Sequence, residues 1–194
     1  MNNPFKSLLN WVAKNYSKDP SKMLIRTGVA GWTLSSLAQI GAILFNSKIS
    51  NEKKSFLLPQ EIADACVNIG SFFLITQGAK MGVSKLFSTG KFAPKTVRKY
   101  LNKTKDIYGK KIGKLDFNIE EVFAKDNKFP MKEYETCKSF GTTIATVGAG
   151  ILSSNIITPI VRNEMAAKMQ KNYINNKKQT EINQPTFKSN GMRI

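Results

Sequence analysis

SFGTTIATVGAGILSSNIITPIV, residues 139–161, runs for twenty-three consecutive positions without a charged side chain. A helix of about 20 residues crosses the ~30 Å hydrocarbon core of a bilayer, so this stretch is long enough to span with some tilt. Gly141, Ala145, Ala149 and Ser153 recur every four residues on one face. Such a small-residue stripe lets helix backbones approach closely in lipid, where packing replaces the hydrophobic drive. Pro159 predicts a kink or a stop near the end of the helix, which lipid tolerates when neighbours satisfy the freed carbonyl. A soluble helix must show one face to water, and each interior glycine would cost it about 1 kcal/mol. The stretch therefore predicts a transmembrane helix, within a unit spanning residues 139–165.

Working outward, residues 27–45, TGVAGWTLSSLAQIGAILF, form a second uncharged run of nineteen positions, flanked by Lys22, Arg26 and Lys48. Gly28, Gly31 and Ser35 place a packing stripe on it. A polar loop, NSKISNEKKS, follows, and Pro59 is expected to open the next helix with Glu61 and Asp64 in its early turns. The uncharged run from Ala65 to Ala79 is only fifteen residues and carries Asn68 and Gln77, so it is a marginal span. Gly78 and Gly82 give it a small-xxx-small pair. Residues 23–87 thus read as a membrane hairpin, and the fold class is all-α and integral to a membrane with two or three transmembrane helices.

Charge decides what lies between these runs. The chain carries 30 Lys and Arg against 13 Asp and Glu, a formal net charge of +17. It should seek anionic lipid headgroups, nucleic-acid phosphates or an acidic protein partner. Fifteen of the basic residues lie from Lys80 to Lys138, all but Lys80 and Lys85 in a basic amphipathic helical region at 88–138. There Val97, Leu101, Tyr108, Ile112 and Leu115 fall on one side of an approximate helix with a break at Gly109. Lys91, Lys95, Arg98, Lys99, Lys103, Lys105, Lys110, Lys111 and Lys114 form the face expected to touch anionic lipid or phosphate. Phe92, Tyr100, Tyr108 and Phe117 could stack on bases, but their spacing with Val97 and Leu101 favours packing. Asn118 reads as the cap of a short helix, IEEVFAK.

Both ends carry further amphipathic pattern. Residues 1–22 read as an interfacial helix, with Phe5, Leu8, Leu9, Val12 and Tyr16 opposite Lys6 and Lys14, and Trp11 suited to the headgroup level. Residues 166–194 read as a helix end and an extended polar tail with too little apolar surface to order alone, and so as a docking segment for a protein assembly. With three spans, the N-terminus and the 88–138 region share the more basic side, facing the cytoplasm or the interior that the membrane encloses. The basic tail then lies on the opposite side, which suits two spans or an acidic partner there.

No catalytic apparatus is legible. The chain has no histidine, and Cys66 and Cys137 lie in or beside apolar segments without a Cys-x-x-Cys pair, as buried small residues would. Gly148 and Gly150 lack the Gly, Lys and Ser pattern of a phosphate-cradling loop. Glu61 with Asp64, Glu120 with Glu121, and Glu133 with Glu135 read as first-turn acids or solvated faces. Asp64 at the mouth of a span is the acid best placed for ion coupling, with Lys80 its counterpart at the other end. No enzymatic activity, catalytic residue, cofactor or metal is expected.

The expected function is a non-enzymatic structural protein that anchors or shapes an anionic bilayer and joins it to a larger assembly, as an oligomer or a subunit. In span count, charge and tail alone, the layout resembles the small membrane-anchoring components of icosahedral viruses with an internal lipid vesicle. That resemblance implies a minor virion protein linking capsid, internal membrane and genome. Three other readings fit the same features: a phage holin-type pore former, an accessory subunit of an organellar or bacterial membrane complex, and a soluble basic helical protein that binds nucleic acid non-specifically. The location is accordingly a viral internal, bacterial inner or organellar membrane.

Overall fold

Polar caps start two of the three long helices. Asp19 accepts the Lys22 amide at 3.2 Å ahead of Pro20, and Ser50 accepts the Lys53 amide at 3.4 Å ahead of Glu52. Each cap satisfies an amide that the first helical turn leaves without a partner. The computed structural model describes residues 4–165, 167–168 and 171–172. The polar tail expected at 174–194, with its proposed docking role, lies outside the described residues.

The described residues form helices and no strand. In chain order they are α1 (Pro4–Tyr16), α2 (Pro20–Phe45), α3 (Asn51–Ser88), α4 (Lys95–Lys103), α5 (Lys105–Tyr108), α6 (Ile119–Val122) and α7 (Met131–Leu152). A π-turn at Ser153–Ile157 follows α7, and the helix then resumes to Met165. Three helices are long and apolar enough to cross a membrane: Pro20–Phe45, Asn51–Ser88 and Met131–Met165. Pro59 does not open the second of them. It lies inside α3, which starts eight residues earlier because Ser50 and Glu52 make the stronger start signal, at the cost of one backbone hydrogen bond to the Ser55 carbonyl. Pro159 does not stop the helix, which continues to Met165, and the departure near it is a local one. Its missing N–H and its ring favour the wider π form in the preceding turn, and the Asn155 side-chain Nδ2 donates to the Ile151 carbonyl at 3.0 Å.

α3 is the central helix and runs antiparallel to both α2 and α7. Lys80 on α3 meets Asp19 at 2.5 Å, Lys54 donates to the Leu44 carbonyl at 2.8 Å, and Asp64 meets Arg162 at 2.6 Å. Between these ties, the Phe72 ring of α3 lies against Gly28 of α2 on one side and Gly150 of α7 on the other. Phe87 sits on Gly141 in the same way. A Cβ at Gly28 or Gly141 would overlap the ring it faces, so glycine is what permits these approaches.

The three uncharged runs are out of step. Gly28, near the start of the α2 run, shares its level with Gly150, midway along the α7 run. At 1.5 Å per residue the two runs overlap for roughly 18 Å, well short of a ~30 Å core. The ion pairs at Lys80 and Asp64 bound the α3 run on either side, about 24 Å apart along the helix.

Residues 90–130 fold into a head beyond the end of α3. Gly90 (φ +82°) reverses the chain after α3, a conformation open to glycine at no steric cost. The Gly113 amide (φ +88°) donates to the Thr89 carbonyl at 2.7 Å and ties the far side of the head to the same point. The head has its own core of Val97, Leu101, Phe117, Ile119, Phe123 and Phe129, closed below by Tyr134 of α7.

Candidate functional site

The bundle has its polarity reversed relative to a water-soluble one. Its buried positions are mostly small or polar: Ser21, Ser36, Asn68, Thr76, Thr142, Thr146, Ser153 and Thr158, with Ile25, Ala65 and Ala149 among them. Its large apolar side chains point outward. Leu34 is 68 % exposed, Leu74 70 %, Phe45 89 % and Ile160 61 %. The interior polar groups are largely satisfied within the helices. Thr76 donates to Phe72 O, Thr142 to Lys138 O and Thr146 to Thr142 O, while Ser71 and Thr158 hydrogen-bond across helices at 2.8 Å. Asn68 Oδ1 and Ser153 Oγ are buried without a partner among the described residues.

The predicted packing stripes divide. Gly28, Gly141, Ala149 and Ser153 lie in helix contacts, and Ala145 is half-buried. Gly31, Ser35, Gly78 and Gly82 do not: Gly31 and Ser35 are exposed, and the space around Gly31, Gly78 and Gly82 is open to 4 Å. The period-four pattern found small residues, but the face each helix presents to its neighbours follows from where Phe72 and Phe87 seat. Gly150, which receives Phe72, carried no signal beyond its residue type. Cys66 also departs from expectation, being exposed on the outer face of α3, whereas Cys137 is half-buried.

Asp64 and Lys80 are each held in an ion pair. Asp64 pairs with Arg162 and Lys80 with Asp19, so these charges tie α3 to the helix after the π-turn and to the start of α2. Burial works to raise the Asp19 carboxyl, but Lys80, the Ser21 hydroxyl and the Lys22 amide outweigh it and hold it below the ordinary aspartate value.

The basic region is not one amphipathic helix. α4 ends at Lys103 and α5 runs only from Lys105 to Tyr108, so the helix breaks at the expected Gly109 and also earlier, at Thr104. Val97 and Leu101 are fully enclosed in the head core, and Tyr108 and Ile112 pack against it, while Leu115 is 73 % exposed. The apolar side is therefore spent on the head itself. Tyr100, Tyr108 and Phe117 are committed there too: Tyr100 meets Phe123 and Phe129 edge-on, and Tyr108 contacts Phe117 and Phe123. Phe92 is half-exposed and packs edge-on against Phe87. The Tyr100 hydroxyl donates to Asp126, which keeps that carboxyl below its ordinary value and the phenol above its own.

With its core filled, the head turns its cations outward. Lys91, Lys95, Arg98, Lys99, Lys103, Lys105, Lys110, Lys111 and Lys114 are all exposed, and none takes part in the four ion pairs of the described residues. Lys95, Arg98, Lys99 and Lys103, with Asn102, line a shallow concavity on α4. These side chains can neutralise phosphates, while the enclosed rings leave little to stack on bases.

α1 adds an apolar surface at the same end of the bundle. Leu8, Leu9 and Trp11 are each more than half exposed. Trp11 meets the Tyr16 ring edge-on at 5.7 Å, and Arg26 donates to the Tyr16 hydroxyl at 3.2 Å while lying 5.9 Å above its ring. No protein-family model, curated protein or solved structure matches this chain.

Proposed function

We propose that the chain is a non-enzymatic membrane anchor whose three long helices insert in a bilayer and present a folded basic head to phosphate-bearing anionic surfaces on one side. The observation that carries this reading is the reversed polarity of the bundle. Hydroxyls and glycines inside with Leu, Ile and Phe outside would be unstable in water, where exposed apolar area on this scale drives association, and it suits lipid. The half-exposed apolar face of α1 and the Trp11, Tyr16 and Arg26 cluster fit the headgroup level at the head end.

The offset of the α2 and α7 runs supports a shaping role as well. A bilayer that matches the ~24 Å between the ion pairs would have to thin locally, since ordinary hydrocarbon cores are ~30 Å. Tying the membrane to an assembly, as a minor virion component would, belongs to this reading, and the tail is the segment that would do it.

Carbonate extraction of the expressed protein tests the anchor. Retention in the membrane pellet is expected, and release would overturn the reading in favour of a soluble basic bundle. Pelleting with anionic vesicles tests the head. Changing Lys95, Arg98, Lys99 and Lys103 to Gln should weaken the electrostatic part by about 1 kcal/mol per charge. The same variant tested on DNA reports whether nucleic-acid phosphates compete.

A further inference from the structure

We propose that the cleft where α2, α3, α6 and α7 meet below the head binds the headgroup of a zwitterionic phospholipid carrying a phosphate and a primary ammonium, as phosphoethanolamine does. This rests on the membrane reading and names a specific lipid for it.

The cleft, open to solvent, has a volume of about 740 Å³, inside the range of roughly 300–1,000 Å³ typical of small-molecule sites. Its position is set by two lysines. Lys80 directly follows Ala79, the last residue of the α3 uncharged run, and Lys138 directly precedes Ser139, the first of the α7 run. Each is anchored by an acid from another element: Asp19 from the α1–α2 link holds Lys80, and Glu120 of α6 holds Lys138. The cleft thus lies at the polar boundary of two spans, where headgroups sit.

Its charge is balanced. Lys18, Lys80 and Lys138 face Asp19, Glu120 and Glu135, so the lining is neutral in a chain of +17. Lys18 and Glu135 take part in none of the four ion pairs of the described residues and are the charges available to a ligand. Such a site favours a group with both signs over a purely anionic one. The hydroxyls match the cationic half of that group. Thr143 donates to Ser139 O, Thr142 to Lys138 O and Thr136 to Lys132 O, which leaves their lone pairs to accept from an ammonium. A quaternary amine has no N–H to donate and relies on aromatic faces, and Phe140 is the single ring lining the cleft.

The acyl chains have a path from the same opening. Phe140 lines the cleft, and Ile144, Val147 and Ile151 continue along the same exposed face of α7 at helical spacing. Headgroup cleft and apolar track therefore lie on one helix.

Native mass spectrometry of the full chain in mild detergent, with equimolar phosphatidylethanolamine, phosphatidylcholine and phosphatidylglycerol, tests the proposal. Phosphatidylethanolamine should be retained over phosphatidylcholine by about tenfold, and Lys18→Gln with Glu135→Gln should bring the two close to parity. Thr143→Val, which removes an acceptor at nearly constant volume, should reduce the preference in the same direction, and an unchanged circular dichroism melt shows that either variant is folded. Equal retention of the two lipids by the wild type, stronger retention of phosphatidylglycerol, or a preference untouched in folded variants would each overturn it. Binding of soluble phosphoethanolamine without lipid retention would overturn the lipid source. Release by carbonate, measured on the same preparation, would count against the membrane reading and not against the chemistry of the cleft.

Discussion

Asp19 combines three contacts at one position: it accepts the Lys22 amide at the start of α2, accepts the Ser21 hydroxyl at 2.5 Å, and pairs with Lys80 at 2.5 Å. Its carboxyl is held below the ordinary aspartate range, because the contacts to Lys80, Ser21 and Lys22 outweigh the cost of burial. Because the folded pKa is the lower one, the stabilisation is complete above the unfolded value and is lost as pH falls through the folded value. The melting temperature of the detergent-solubilised protein should therefore hold from neutral pH down to the ordinary aspartate range and then drop. Asp19→Asn should lower the plateau and shrink the acid drop, leaving the part contributed by Asp126, whose carboxyl is also held low. A drop of unchanged size in Asp19→Asn would remove Asp19 from this role. Lys80 is visible in the sequence as a charge at the mouth of a span. Its partner, sixty-one positions away, has no local signature. Gly28 makes the same point through packing. Gly28→Leu should cost about 1–3 kcal/mol by overpacking, since the Phe72 ring it would meet already lies against Gly150 of α7. Gly31→Leu, facing open space, should stay within about 0.5 kcal/mol. Unfolding titrations of the two variants check the contrast, and equal losses would refute the assigned helix faces.

At the scale of elements, the helices over the uncharged runs follow from composition and caps, whereas the head does not. Its basic sequence alternates apolar and charged residues at near-helical spacing, and that spacing alone suits a long surface helix. What breaks it is a competing core. Phe123 stacks on Phe129 at 4.7 Å and meets Tyr100 and Tyr108 edge-on, drawing residues from both sides of the Thr104 break around one centre. Phe123→Ala should cost about 3–5 kcal/mol, enough to open so small a core. Limited trypsin digestion should then cut between Lys91 and Lys132 in the variant and spare the wild type, with the bundle fragments still associated. Equal resistance of the two proteins would show that the head does not depend on this core.

For the molecule as a whole, the antiparallel order of α2, α3 and α7 places α1 and the head at one end and the Asn46–Ser50 link at the other. With Cys66 and Cys137 changed to Ser, single cysteines at Lys48 and Lys114 should label from opposite faces of sealed vesicles with an impermeant maleimide. Labelling from the same face would rule out an odd number of spans between them. The charge arrangement agrees with that order, because the exposed cations gathered on the head sit beside the basic start of α2.

Run length, charge and helix caps are local properties and can be read from the residues alone: helices without strands over the described residues, apolar helices of spanning length, a basic middle region and no histidine. Tertiary structure alone decided which small residues face inward, the offset between the α2 and α7 runs, the enclosure of the head aromatics and the two ion pairs at the ends of the α3 run. The reason is physical. These features depend on which ring seats against which glycine across helices far apart in the chain, and a periodicity of 3.6 assigns residues to a face without saying what that face will meet.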